Sequence, residues 1–508
     1  MKSNLNTSPN IRSSIVINLI RTVTITVLSF VSFPFAARAL GDIGMGQYTL
    51  ANTFVYYFLI IAKLGIPNLA IRECAKVRDD PVAFSRKVQT FFILQLITTL
   101  ISFVFLVAIA FSLPSNWTAE PELIRRLIFI LSINFLLGAL SFEWVYISLE
   151  KHLYIAVRSI FALTIGSILI ISFVHNSRQL ILYAALAFLN TIFTVVFNFA
   201  FLKKTGISLK PLGNYNFRQY FKPILAMGIL TIVLTFYNQT DTIILGILDP
   251  STASVGSYAI GVKGSEIVIT IITSLSAVFI PRATRLYQNE NKYFFKNLAR
   301  YATNIALFIA IPAYVALVIL APDIIAFLVN SNLSGTWTDS SIANATLSVI
   351  IISSLVITYS LADIIFSSIL LPMGKEKIYL WTIVIGLVLN VFGCILLGKT
   401  IFESRPVIGV AIATALSDVI VLIVLIIGAW KYIKSALFNL NSLKIAIAGI
   451  MIGALTYYLQ TIINGTPFVK ILIIILIDGV VYTSLLAVSK ERLVTSFLTK
   501  KKEAEHES

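Results

Sequence analysis

Fourteen apolar runs, each long enough to cross a bilayer as a helix, follow one another along the chain. They lie at 14–38, 44–70, 89–112, 124–148, 153–174, 179–202, 222–248, 254–280, 299–321, 343–371, 378–398, 406–430, 443–463 and 469–489. Short polar segments separate them, and a helix of about 20 residues spans the hydrocarbon core. The pattern predicts an all-α integral membrane protein with about 14 transmembrane helices.

Composition agrees with the pattern. Of the 508 residues, 58% are hydrophobic and 12% charged, against about 25% charged in a soluble domain; mean hydropathy is +0.91. The net charge of +16 raises the question of a nucleic-acid partner, which the placement of the charges answers. If both ends face the cytoplasm, 28 of the 39 Lys and Arg fall in inward segments, six in outward segments and five within spans. That bias is the positive-inside signature of a membrane protein, so the basic balance reports orientation and no nucleic acid is expected. The chain opens with no cleavable signal peptide pattern.

Four landmarks repeat. Leu40-Gly41, Gly46-Gln47-Tyr48, Ile66-Pro67 and the basic loop Arg72 to Lys87 are followed by Leu245-Gly246, Gly256-Ser257-Tyr258, Ile280-Pro281 and the basic loop Arg282 to Arg300. Six spans separate the copies, as expected for parallel repeats related by an axis along the membrane normal. The expected organisation is an N-terminal lobe at 1–221 (spans 1–6), a C-terminal lobe at 222–432 (spans 7–12), and two accessory spans with a tail at 433–508. Two pseudo-symmetric six-helix lobes would enclose a cleft.

Charges inside spans are costly, about 2.5–3.5 kcal/mol at mid-membrane on insertion scales, and so face protein or water. The basic ones are Arg21, Arg38, Lys63, Arg158 and Lys263; the acids are Glu143, Asp241, Glu266, Asp363, Asp418 and Asp478. Arg38 and Arg158 lie near span ends, where a long side chain snorkels to the surface. Arg21, Lys63 and Lys263 lie deeper and are the candidate substrate-binding residues of a cationic cleft, which implies an anionic cargo. Glu266, three residues after Lys263, is placed to pair with it. Pro34 and Pro312 fall inside apolar helices, where each removes a backbone bond and allows a kink, and the polar stretch Tyr237 to Asp241 is expected to break its helix; Asp241 and Glu266 are candidates for ion coupling.

Other chemistries are disfavoured. Gly393 to Thr400 fits the pattern of a phosphate-cradling loop but continues a membrane run, with no strand before it. No soluble segment is long enough for an ATP-driven motor domain. Cys74, read in a polar loop, and Cys394 form no paired or metal-ligating pattern; His152, His175 and His506 are scattered. Transport, with no catalysis and no cofactor beyond Na+ or H+ as a coupling ion, is the favoured class.

Phe33-Pro34 to Ala39-Leu40-Gly41, Gly46-x-Tyr48 and Gly65-Ile66-Pro67 with Ile71-Arg72-Glu73 resemble the opening of bacterial polysaccharide repeat-unit (Wzx-type) flippases of the multidrug/oligosaccharidyl-lipid/polysaccharide (MOP) exporter superfamily. Asp241 to Gly246, Val255 to Arg282 and Leu371-Pro372-Met373-Gly374-Lys375-Glu376-Lys377 resemble later landmarks. The resemblance implies a flippase in a bacterial plasma membrane, with both termini cytoplasmic. Its implied cargo is an undecaprenyl-pyrophosphate-linked oligosaccharide for O-antigen or capsule synthesis, moved by alternating access, with membrane lipids, a polysaccharide polymerase and other assembly proteins as partners. In the related lipid II flippases basic residues of spans 1, 2 and 8 line the cleft, and Arg21, Lys63 and Lys263 match them; Lys at two of these gives up bidentate phosphate geometry. The alternatives are a multidrug exporter of the same fold using Asp241, Glu266 and Asp363, or a teichoic-acid or peptidoglycan-precursor flippase.

Overall fold

The computed structural model describes residues 11–114, 116–202, 205–208, 210–213, 215–329, 336–491 and 495. Lys2, Lys203, Lys204, Arg492 and Lys500 to Lys502, counted above for orientation, lie outside the described residues, as does the side chain of Arg12. The described residues form helices and no strands. Thirteen helical stretches are long and apolar enough to cross a membrane. The first, Ile17–Ala75, has 59 residues and would extend about 90 Å as one rod. That is some three times the hydrocarbon thickness of about 30 Å. Gly41 divides it, at φ 72° and ψ −177°, a conformation glycine adopts without a Cβ penalty. The described residues therefore hold fourteen stretches of spanning length, and the protein is a multi-pass membrane protein.

Contacts group the chain into two compact units, Met1–Gly256 with Leu333–Thr336, and Ser257–Asn332 with Trp337–Ser508. This differs from a lobe boundary at 221/222. The helix that opens the expected second lobe, α9 (Arg218–Leu248), packs in the first unit against α1 (Ile11–Lys63) and α2 (Ile66–Ala75). Gly65 (φ 75°) and Gly228 allow this approach: a Cβ on Gly228 would stand 2.9 Å from the Leu64 carbonyl oxygen.

In the first unit, α3 (Pro81–Ser112) shows how the membrane inverts ordinary packing. Its buried face carries Gln89, Gln95, Thr99 and Ser102, whereas Ile97, Ile101, Val104 and Phe105 are exposed. A helix whose polar side faces protein and whose apolar side faces outward belongs in lipid. Asp80 caps its start, its carboxylate accepting from the backbone N–H groups of Val82 (2.9 Å) and Ala83 (3.0 Å), as N-caps do.

The run expected at 124–148 is broken. α4 (Pro121–Ala139) ends at a turn in which Phe142 takes φ 49°, and α5 (Glu143–Ser148) restarts the helix. Left-handed backbone is unfavourable for a bulky residue. Packing holds it here, since Phe142 stacks on Phe92 (4.6 Å) and meets Phe199 edge-on (5.2 Å). α6 (His152–Phe173), α7 (Leu180–Ala187) and α8 (Leu189–Leu202) complete the expected fifth and sixth spans. The expected interruption at Tyr237 to Asp241 is absent, because α9 runs through it. Its polar groups bond to α1 instead: Tyr57 to Thr240 Oγ1 (3.2 Å) and Thr53 to Gln239 (3.5 Å). Pro34 and Pro312 lie inside helices, as expected. Cys74, expected in a polar loop, is buried in α2.

The second unit contains most of α10 (Ala253–Gln288), then α11 (Lys292–Ile319), α12 (Ala321–Val329), α13 (Asp339–Ile352) and α14 (Leu355–Ile365), which ends in a π turn at Phe366–Leu370. After them come α15 (Glu376–Leu396), α16 (Pro406–Leu437), α17 (Leu440–Ile462) and α18 (Pro467–Val488). The accessory helices are integral to this unit. Ile445, Ala448 and Ile452 of α17 and Tyr482 and Leu486 of α18 share a core with Ala302, Ala306 and Ala310 of α11. Small residues permit the contact: a Cβ on Gly449 would lie 2.3 Å from Ile311 Cγ2. On α12, Asp323 accepts from Lys470 (3.0 Å) and Gln460 (2.7 Å).

Candidate functional site

The break at Phe142 places Glu143 at the start of α5, and two arginines reach it from other helices. Arg21 of α1 approaches Glu143 Oε1 with Nη1 at 3.4 Å, while Nε and Nη2 of the same side chain donate to Asn18 Oδ1 at 3.2 and 3.0 Å. Arg158 of α6 approaches the same oxygen with Nη2 at 3.5 Å. Its Nη1 donates to Asn198 Oδ1 on α8 at 2.7 Å, and Tyr154 donates to that oxygen at 3.1 Å. Asn198 in turn donates to the carbonyl of Ser141, in the turn that precedes Glu143. Arg158 is 3% exposed, so it does not snorkel to the surface. Asn198 and Glu143 offer it nearer partners, which a side chain turned out to water would lose.

Lys63, the last residue of α1, lines a cavity beside this cluster. The cavity has a volume of about 200 Å3 and is walled by α1 to α5, with Asn68, Gln95, Ser141, Glu143 and Trp144 among its lining. Lys63 makes no hydrogen bond or ion pair among the described residues. One carboxylate thus serves two guanidiniums that lie outside the cavity lining, and both that carboxylate and the Lys63 ammonium stand on the cavity wall. The balance is positive, and three cations about one acid favour an anion.

The remaining candidates lie apart from this cluster. In the second unit Lys263 donates to Glu266 Oε2 at 2.8 Å along one face of α10, the intrahelical pair expected from their spacing. Asp241 is buried on α9 in the first unit, where Oδ1 accepts from the Thr242 N–H at 2.7 Å. Glu143, Arg158 and Asn198 escaped the sequence reading as site residues. They come from three different helices, and the one local signal was an acid in an apolar run shortly after a glycine. Among the described residues no three His, Cys, Asp or Glu side chains form a metal-binding group.

Comparison with known proteins places this arrangement in a family. A family model described as "Polysaccharide biosynthesis protein" matches residues 11–287, and a MatE model matches 226–396. The chain is 24% identical over 266 residues to the capsular polysaccharide biosynthesis protein CapF of Staphylococcus aureus, covering 50% of this chain and 61% of that protein. It is 23% identical over 242 residues to a putative O-antigen transporter of Escherichia coli (strain K12), covering 46% and 55%. The chain therefore spans little more than half the length of these curated relatives. The lipid II flippase MurJ, in an inward closed conformation, superposes with a TM-score of 0.65 at 18% identity over 95% of this chain and 98% of that one, which shows the fold. With more than half of its residues matched, the chain belongs to the polysaccharide biosynthesis protein family, within the MOP exporter superfamily.

Proposed function

We propose that the protein is a flippase that carries an undecaprenyl-pyrophosphate-linked oligosaccharide repeat unit across a bacterial plasma membrane, both termini cytoplasmic, by alternating access. The observation that carries this reading is the excess of cations, Arg21, Lys63 and Arg158, over the single carboxylate of Glu143. A pyrophosphate loses hydration on leaving the interface, and fixed cations replace the water. Arg21 can offer two parallel N–H groups to phosphate oxygens, and Lys63 offers a compact charge that makes no hydrogen bond or ion pair among the described residues. Arg158, buried and bonded to Asn198, holds Glu143 in place. No covalent bond is made or broken in this reading.

Lys263 contributes least, because Glu266 cancels its charge at 2.8 Å. The same pair argues against Glu266 as a free coupling acid and against a drug exporter that would use it for cationic cargo. Asp241 stays the candidate for Na+ or H+ coupling. The membrane potential is a further source of drive for an anionic headgroup, at about 2.3 kcal/mol per charge per 100 mV.

The test is polysaccharide export in a strain dependent on this protein, with membrane levels matched. Arg21→Ala is expected to impair export most, Lys63→Ala next and Lys263→Ala least. Full activity of both Arg21→Ala and Lys63→Ala would reject the anion site and favour the drug exporter.

A further inference from the structure

The two basic loops of the sequence repeat use their charge differently. In the first unit Arg72 and Lys76 pair with Glu73 (3.7 and 2.5 Å), Arg78 pairs with Glu150 (2.9 Å), and Lys87 lies over the Tyr220 ring, 4.8 Å from its centroid. In the second unit the loop between α10 and α11 exposes Arg282, Arg285, Lys292 and Lys296, with Glu290 as the one acid between Arg282 and Arg300. The side chains of these four cations make no hydrogen bond or ion pair among the described residues. Orientation in a membrane needs only an excess of cations on one side. It gives no reason for one loop to pair its charges and the other to leave them open.

The second loop is also a fixed platform. Phe295, 1% exposed, packs on Tyr287 (5.4 Å) and edge-on against Tyr432 of α16 (5.3 Å), and it shares a small core with Ala283 and Leu298. Asn291 caps α11, its side-chain carbonyl accepting from the Phe294 N–H at 3.3 Å. With Phe295 turned into the core, its neighbours Tyr293 and Phe294 stand outward, 72% and 56% exposed.

Depth decides what these groups meet. α10 starts at Ala253 on the opposite side of the membrane, and at ~1.5 Å per residue Arg282 stands about 43 Å along it. The hydrocarbon core is about 30 Å thick, and the headgroup layers bring the bilayer to about 40–45 Å. Arg282 and, one turn on, Arg285 therefore stand among headgroups. Exposed aromatic rings beside cations suit that layer, where a ring is apolar on one side and wet on the other. A soluble anion would engage the charges and leave both rings in water. A lipid engages both.

We infer that the α10–α11 loop is a docking surface for anionic phospholipid, with Arg282, Arg285, Lys292 and Lys296 on the phosphate headgroup and Tyr293 and Phe294 at the acyl boundary. Only the leaflet rests on the proposed function, whose cytoplasmic termini put this loop on the cytoplasmic side. The surface itself is independent of the cargo.

The test places a fluorescent thiol label at Asn289→Cys in the full-length protein, reconstituted in phosphatidylcholine vesicles with phosphatidylglycerol in both leaflets. Quenching by brominated phosphatidylglycerol is compared with quenching by brominated phosphatidylcholine at equal mole fraction. The anionic lipid is expected to be preferred about fivefold or more, the contribution of one engaged cation. Arg282→Gln with Arg285→Gln, and separately Lys292→Gln with Lys296→Gln, should each bring that ratio towards one. Arg72→Gln with Arg78→Gln, in the loop whose charges are paired, should leave it unchanged. Size-exclusion profiles check the fold, and either pair of substitutions decides if the other does not fold. Equal quenching by the two lipids, a preference that survives both pairs, or an equal loss on the Arg72 and Arg78 substitutions overturns the docking surface. Because both leaflets carry the probe, the ratio reads the surface whichever way the chain is inserted, and polysaccharide export tests the transport reading separately.

Discussion

Gly46 and Gly256, which hold equivalent positions in the two sequence repeats, pack backbone to backbone. A Cβ on either glycine would stand 3.1 Å from the other's amide nitrogen. The same Cβ on Gly46 would lie 1.9 Å from the Thr252 carbonyl oxygen, and on Gly256 2.0 Å from that of Asp42. The repeat is also visible inside each unit. Tyr48 meets Tyr183 of α7 with ring centroids 4.7 Å apart, and Tyr258 donates to Thr414 of α16 at 3.4 Å, so each repeat tyrosine joins the second span of its six to the sixth.

Backbone atoms cannot yield as a flexible side chain does, so a methyl group at either glycine must separate the helices. Gly46→Ala and Gly256→Ala are each expected to cost about 1–3 kcal/mol or more. Gly166→Ala, where nothing lies within 4 Å of the added Cβ, should be neutral. Thermal unfolding in detergent, read on all three variants, checks this; equal stability of the set would contradict the crossing.

The charge cluster makes a separate prediction about stability. Arg158 is 3% exposed and Arg21 25%, so the same carboxylate is worth more to the buried partner. Glu143→Ala strands Arg158 and should destabilise by roughly 3–5 kcal/mol. Glu143→Gln keeps an acceptor and should cost less. Arg158→Ala is expected to lower folded protein in the membrane, and Arg21→Ala to leave it near normal. Size-exclusion profiles and membrane levels distinguish the two; a harmless Arg158→Ala would remove its structural role.

Orientation is open to direct labelling. Asn116 lies between α3 and α4 and Asn289 between α10 and α11, both exposed and both outside the spans. The native Cys74 and Cys394 are buried and give little background. With cytoplasmic termini, a membrane-impermeant thiol reagent should reach Asn116→Cys from outside and miss Asn289→Cys. The opposite labelling would invert the topology.

Between α9 and α10, burial pushes the Asp249 carboxyl up, but hydrogen bonds outweigh it and hold the group below its usual value. Ser251 donates from N (3.0 Å) and Oγ (2.6 Å), and the Ser254 N–H donates at 2.9 Å. A depressed folded-state value means the stabilisation is present above the unfolded value of about 3.9 and is lost as pH falls through the folded one. Asp249→Asn should therefore lower stability at pH 7, by about 0.5–2 kcal/mol on the scale of a helix cap, and by less towards pH 3. Thermal unfolding between pH 3 and 7 measures it, and parallel curves for the two proteins would refute the linkage.

The membrane class, the fourteen stretches of spanning length, the repeat landmarks and the Lys263–Glu266 pair were legible from residues alone. Each depends on hydropathy or on spacing along one helix, which the chain carries locally. Where the helices break was not legible. The polar stretch Tyr237 to Asp241 looked like an interruption, yet α9 runs on, because α1 satisfies its polar groups. The turn falls at Phe142 instead, where aromatic packing in three dimensions outweighs the local backbone cost. The candidate site was half legible for the same reason. Burial cost marks Arg21 and Lys63 as residues that must face protein or water, but it cannot say which partner they find. Arg158, near a span end, could as well have reached the surface; only the approach of α5 and α8 brings Glu143 and Asn198 to it. Composition and periodicity determined what the protein is made of, and side chains distant in sequence decided where its charges meet.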